Sequence, residues 1–271
     1  MTVSPSTAEA PMHIAAGTRY GFFTDTSVCI GCKACEVACK EWNGVEAVAS
    51  ELSGNSYDNT VALDATSWRH VAFVEKELTS TVKDMMWLMS SDVCKHCTEA
   101  ACLDVCPTGS LFRTEFGTVV VQPDICNGCG YCVPACPFGV IGKNPTSGQA
   151  AKCTLCYDRL RGGEQPACAR ACPTDSIQFG PLDELRATAA TRLAQLRDSG
   201  ADRAQLYGED PDDGIGGAGA IFLLLDEPSV YGLPPAPRTT TRDLRQMWRT
   251  AAAASLALVG AVVLAMIGGE R

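Results

Sequence analysis

Residues 126–137 read Cys126-Asn-Gly-Cys129-Gly-Tyr-Cys132-Val-Pro-Ala-Cys136-Pro137, and the meaning of this stretch decides the fold. The spacing is Cys-x-x-Cys-x-x-Cys-x-x-x-Cys-Pro with every position filled. A cubane of four irons and four sulfides needs four thiolates converging from different sides. Three closely spaced cysteines on a tight loop wrap one such cluster. Where a chain carries two clusters, the fourth cysteine, at the start of the next helix, ligates the neighbour. The stretch therefore asks for a second site elsewhere in the chain.

The remaining cysteines supply it. All sixteen lie between Cys29 and Cys172, in four groups of four. The first is Cys29, Cys32, Cys35 and Cys39, with Lys40 where the motif has proline. The second is Cys94, Cys97, Cys102 and Cys106, followed by Pro107, with a longer middle gap. The fourth is Cys153, Cys156, Cys168 and Cys172, followed by Pro173, with eleven residues between Cys156 and Cys168. A disulfide scaffold would spread its cysteines along the loops of a shorter secreted chain. Zinc also uses paired Cys-x-x-Cys, but not a third cysteine two residues on with Cys-Pro four later. Four [4Fe-4S] clusters are the consistent reading, with ligands exchanged crosswise between quartets. Site 1 takes Cys29, Cys32, Cys35 and Cys172. Site 2 takes Cys94, Cys97, Cys102 and Cys136. Site 3 takes Cys126, Cys129, Cys132 and Cys106, and site 4 takes Cys153, Cys156, Cys168 and Cys39. The same sixteen residues are the iron ligands. Strand, cysteine loop, helix, hairpin, cysteine loop, helix is the two-cluster ferredoxin plan. The fold class expected is α+β: two interlocked two-cluster ferredoxin-like modules, the first and fourth quartets enclosing the second and third.

The 271 residues divide by composition into four parts. Residues 1–18, rich in Ser, Thr, Pro and Ala, read as a flexible arm, and 19–180 as the cluster domain. Residues 181–245 form a C-terminal extension, and 246–269 a single transmembrane helix. Within the cluster domain, Tyr20–Phe23, Trp68–Val74, Trp87–Met89 and Ile177–Phe179 read as strands, the last repeating a position held by Leu111 and Val140. Leu111–Val121 reads as a hairpin. In the extension, Leu185, Leu193 and Leu196 mark an amphipathic helix over Asp183–Ser199, stopped by Gly200. Glu209–Asp213 reads as a solvated loop, and Tyr231–Pro237 as a rigid linker. Gly214, Gly216 and Gly219 match Gly-x-Gly-x-x-Gly, but they precede the strand Ile221–Leu225, whereas a dinucleotide fingerprint follows one. Ala251–Gly268 is apolar throughout, and eighteen residues at 1.5 Å each span about 27 Å, a bilayer core. Met1–Gly17 shows no basic, apolar or twin-arginine signal. A net charge of −9 argues against nucleic acid as partner. The three histidines, 13, 70 and 96, form no catalytic pattern. His96 reads as a surface residue or a neighbour of the ligands, and no catalytic residue is expected.

Three motifs carry a family resemblance: Cys29-Ile-Gly-Cys-Lys-Ala-Cys35 with Glu41-Trp-Asn43, Cys126–Gly139, and Lys152-Cys-Thr-Leu-Cys156 with Pro166-Ala-Cys168. From about Thr24 onward the chain resembles the iron–sulfur (beta) subunits of membrane-bound molybdopterin oxidoreductases. The helix after Pro181, the glycine-rich turn, Tyr231-Gly-Leu-Pro234 and the single terminal helix are similar to the respiratory formate dehydrogenase branch. The nitrate reductase branch has tryptophan at one cysteine position and a three-iron cluster; here every position is cysteine, which implies four cubanes. The resemblance implies a non-catalytic electron-transfer subunit of anaerobic respiration. It would receive electrons from a molybdenum- or tungsten-pterin alpha subunit that oxidises formate. It would pass them through sites 1, 4, 2 and 3, in that order, to a membrane cytochrome b gamma subunit and quinone. The alternative is the equivalent subunit of a nitrate, dimethyl sulfoxide or polysulfide type oxidoreductase, or of a hydrogenase. The resemblance puts the cluster domain on the outer, periplasmic face of the cytoplasmic membrane. Arg238, Arg242, Arg245 and Arg249 before the helix argue for the cytoplasmic face instead.

Overall fold

The structure, a computed structural model, describes residues 13–46, 52–54, 57–77 and 85–268; residues 1–12 of the N-terminal arm lie outside it. Strand β1 (Tyr20–Asp25) is buried along its whole length. It pairs antiparallel with β8 (Ile177–Pro181) and parallel with β10 (Ala220–Leu224). Strand β9 (Gln205–Tyr207) closes the edge, giving the order β8-β1-β10-β9. β10 reads Ala-Ile-Phe-Leu-Leu, and a continuous apolar run is what a strand covered on both faces requires. Alternation then sorts its residues between two cores. Phe23, Ile221 and Leu223 face helix α6 (Leu182–Asp198) through Leu182, Leu185 and Ala189. Phe22, Ala220, Phe222 and Leu224 face the cysteine-bearing core. The sheet is thus a floor, with α6 beneath and the quartets above.

Smaller elements frame the cysteine loops. Strands β2 (Arg69–Glu77) and β3 (Met85–Val93) pair over nine positions, from Arg69↔Val93 to Glu77↔Met85. β3 exceeds the expected Trp87–Met89 because Ser90, Ser91 and Asp92 are held by pairing with β2 rather than by their own weak strand preference. The expected hairpin is present as β4 (Leu111–Arg113) and β5 (Val119–Val121), turning with Gly117 at φ 75°. β6 (Gly142–Lys143) pairs with β7 (Ala150–Ala151). Val140 precedes β6 as a buried loop residue rather than a strand residue.

The extension is tied down. Tyr231 and Leu233 are buried, and the Tyr231 hydroxyl accepts from the Leu225 N–H at 3.1 Å. The Tyr207 hydroxyl donates to the Pro234 carbonyl at 2.7 Å. The proline pattern of 231–237 hid these apolar anchors. Beyond it, α7 (Leu244–Gly268) carries one span, Leu244–Ile267, long and apolar enough to cross a membrane, and none of its apolar window packs against the rest of the chain.

Candidate iron–sulfur sites

The four cysteine loops share a backbone signature. The residue before each second cysteine is left-handed: Gly31 (φ 64°), His96 (45°), Gly128 (71°) and Leu155 (59°). For His96 and Leu155 this costs about 1 kcal/mol, which the loop as a whole must offset. A further left-handed residue stands three past the last cysteine in three quartets, at Gly109, Gly139 and Asp175. These are the quartets ending in Cys-Pro. Proline cannot continue a helix, so α2 (Ala101–Asp104), α3 (Cys132–Ala135) and α5 (Ala167–Arg170) stop after four residues. The first quartet has Lys40 instead, and α1 (Ala34–Asn43) runs ten residues, carrying both Cys35 and Cys39.

Thiols distant in sequence come together across quartets. One cavity is lined by Cys29, Cys32, Cys35 and Cys172, with Ser91 and Ser176 beside them. Cys97 and Cys102 both lie within electrostatic reach of Cys94 and Cys136. Cys132 lies within reach of Cys126, Cys129 and Cys106. Cys39 lies within reach of Cys153, Cys168 and Cys156. All sixteen are free thiols; Cys32 and Cys129 are the exposed ones. Among the described residues, no three His, Cys, Asp or Glu side chains close around a single ion. Ligands on one zinc would bring sulfurs to about 3.8 Å of each other, given Zn–S bonds of ~2.3 Å. A cubane holds its thiolates farther apart.

The surroundings suit a bound cluster. Burial pushes the Cys102 and Cys153 thiols up to about 12 and Cys132 up to about 11. It raises Cys35, Cys39, Cys97, Cys136 and Cys168 as well. These buried thiols therefore hold their protons, which cluster insertion must expel. Donors already point at sulfur. The Ala150 N–H reaches Cys126 Sγ at 3.4 Å and the Leu155 N–H reaches Cys153 Sγ at 3.3 Å. Ser91 Oγ lies 3.2 Å from Cys35 Sγ. Such donors stabilise charge on the sulfurs and so tune potential.

Several residues that shape the sites were not singled out by spacing. Arg69, Lys95, Lys152 and Arg159 are buried cations. His96 is also buried, not a surface residue; its Nδ1 accepts from the Val119 N–H at 3.1 Å, and burial holds its pKa well below the usual range. The Trp42-Asn43 pair proves to be a clasp between the first and fourth quartets. The Trp42 indole donates to Asp158 Oδ2 on helix α4 (Tyr157–Arg161) at 2.8 Å, and the Arg159 guanidinium stacks 4.1 Å from its ring. Asn43 Nδ2 reaches Cys39 Sγ at 3.7 Å and Cys156 Sγ at 3.8 Å. The glycine-rich turn packs on the second quartet: Gly219 N–H donates to the Lys95 carbonyl at 2.7 Å, and a Cβ on Gly216 would stand 3.1 Å from Thr98 and Glu99.

Comparison with known proteins points to iron–sulfur chemistry as well. Two family models, each described as a 4Fe-4S dicluster domain, match residues 28–110 and 85–182. The formate dehydrogenase iron-sulfur subunit of Haemophilus influenzae is 42% identical over 218 residues, covering 79% of this chain and 68% of the relative. The formate dehydrogenase-O iron-sulfur subunit of Escherichia coli is 39% identical over 239 residues, 86% and 77% of the two chains. The B subunit of the Escherichia coli anaerobic dimethyl sulfoxide reductase is 40% identical over 174 residues, 62% of this chain and 77% of the relative. With likeness of this depth running through both the cysteine loops and much of the remaining chain, the protein belongs to the formate dehydrogenase iron–sulfur subunit family.

Proposed function

We propose that this chain is the electron-relay subunit of a membrane-bound formate dehydrogenase, with four [4Fe-4S] clusters held by the crosswise ligand sets of sites 1 to 4. When bound, the clusters supply one-electron storage; the chain holds them in line, excludes water and donates hydrogen bonds to sulfur. The observation that carries the reading is that thiols of successive quartets stand near enough for each to feel the other's charge. Cys35 neighbours Cys168, linking sites 1 and 4. Cys153 neighbours Cys94, linking sites 4 and 2. Cys102 neighbours Cys132, linking sites 2 and 3. This supports the order 1-4-2-3, and the antiparallel β1–β8 pair, flanking the outer quartets, supports two interlocked modules.

Both ends of that order open to the surface. Cys32 is exposed, as are Ile30 and Val37 of the same loop and helix, and Cys129 is exposed, as are Ile125 and Tyr131 near it in sequence. Exposed apolar rims around thiols suit docking of redox partners. In this reading a pterin-bearing catalytic subunit meets the site 1 end, and a membrane cytochrome b subunit the site 3 end. The root of α7 favours the second assignment. Thr240 Oγ1 donates to the Ala135 carbonyl at 3.3 Å, and Thr241 Oγ1 to Asp104 Oδ2 at 2.6 Å, fastening the root to the helices of the third and second quartets. The division at residues 18, 180 and 245, and the placing of the cluster domain on the outer, periplasmic face of the cytoplasmic membrane, belong to the same proposal. Purification from membranes with a large molybdopterin subunit, followed by bleaching of the cluster absorption on adding formate, tests it. Reoxidation of the reduced clusters by dimethyl sulfoxide, with no bleaching by formate, would assign another catalytic partner.

A further inference from the structure

Four buried cations sit among the thiols, and they fall into two classes. Lys95 is paired with Asp92, and Arg159 with Glu164 at 2.6 Å. Arg69 and Lys152 have no carboxylate partner among the described residues. Arg69 is 2% exposed and Lys152 is 1% exposed. A buried cation without a counter-anion is strongly disfavoured, so something anionic is missing from their surroundings.

Arg69 begins β2, stacked 4.8 Å from the Phe22 ring. Its Nη1 donates to the Ser91 carbonyl at 3.3 Å and to Ser91 Oγ at 3.0 Å. With that lone pair occupied, the Ser91 hydroxyl is free to donate to Cys35 Sγ, 3.2 Å away. The Nε and Nη2 atoms of Arg69 are buried with no hydrogen-bond partner. The thiols around the guanidinium are Cys168, Cys35, Cys153 and Cys39, one from site 1 and three from site 4. Lys152 donates to the Val119 carbonyl and to the Cys153 carbonyl at 3.0 Å. Cys94, Cys102 and Cys153 are the thiols whose charge acts on its ammonium, two from site 2 and one from site 4.

We propose that Arg69 and Lys152 are fixed countercharges at two successive junctions of the relay, Arg69 between sites 1 and 4 and Lys152 between sites 4 and 2. Each is a positioning residue that favours the reduced state of the two sites it separates. Site 4, touched by both, is the most strongly assisted, and site 3 is touched by neither. The inference rests on the quartet assignment proposed above.

Redox titration of the full-length chain in its membrane complex, followed by electron paramagnetic resonance, tests it. Arg69→Met is expected to weaken electron binding about tenfold at two of the chain's four clusters, a fall of about 59 mV each. Lys152→Met is expected to do the same at two, only one of them shared with the first pair. Arg69→Lys and Lys152→Arg keep the charge and stay close to the wild-type potentials. Iron loss in the neutral variants alone, with retention in both conservative ones, also supports a countercharge. The inference is overturned if all four clusters shift alike, if none shifts, or if conservative and neutral variants behave the same. A wild-type preparation lacking sixteen irons would instead overturn the quartet assignment.

Discussion

Replacing Cys136 by alanine separates the crosswise ligand sets from the simpler idea that each run of four cysteines holds its own cluster. Cys136 closes the Cys126–Pro137 run, yet Cys94 is its thiol neighbour, and Cys97 and Cys102 both count it among theirs. Cys136→Ala should therefore cost about four of the sixteen irons, those of site 2. Pairing it with a second substitution makes the assignment quantitative, because changes within one site do not add and changes in separate sites do. Cys136→Ala with Cys97→Ala should still cost about four irons. Cys136→Ala with Cys129→Ala should cost about eight, since the proposed assignment groups Cys129 with Cys126, Cys132 and Cys106. Iron analysis of anaerobically purified variants, normalised to protein, reads the difference directly. The reverse pattern, doubling with Cys97 and no further loss with Cys129, would refute crosswise ligation.

Three other outcomes follow from the geometry. Gly31→Ala puts a methyl group at φ +64°, 2.7 Å from the Phe73 ring and 2.9 Å from Met89 Sδ. Strain and crowding together should cost about 2 kcal/mol and lower Tm by roughly 4–8 °C; an unchanged melting curve would count against the loop geometry. Asp58 is partly buried, which alone would raise its pKa, but the His70 hydrogen bond at 2.6 Å and Lys33 at 3.2 Å outweigh this and hold it below the ordinary 3.8. A depressed carboxyl stabilises the fold above its unfolded pKa, and that contribution disappears as pH falls through the folded value. Asp58→Asn should flatten the acid limb of a stability–pH curve below about pH 4, and an unaltered limb would show the pair to be inert. A chain ending at Asp243 keeps Thr239, which donates to the Glu99 carbonyl at 3.0 Å, and removes α7. It should retain its full iron complement and lose membrane partitioning; iron analysis and sedimentation with vesicles check the two.

The cysteine spacing made the candidate ligands legible because ligands to a cluster must recur at intervals that a loop and one helical turn impose. The hairpin at Leu111–Val121 and helix α6 were legible for the same reason, each carrying its own periodicity or turn residue. The parallel pairing of β1 with β10 was not, since nothing in Tyr20–Asp25 says that a strand nearly two hundred residues away completes it. Arg69 was hidden more deeply. A cation at the head of a strand ordinarily faces water, and only the tertiary arrangement reveals that this one faces four thiols. The rigid linker reading of 231–237 failed to anticipate its anchoring because Tyr231 and Leu233 are too few to make a pattern.

The central claim is that this chain carries four cubane clusters, and counting iron and acid-labile sulfide in the anaerobically purified full-length protein tests it most directly. About sixteen of each per chain, in a brown protein whose Mössbauer spectrum is wholly of the four-iron type, is the result expected. A colourless protein with zinc, or one with about eight irons, would contradict it.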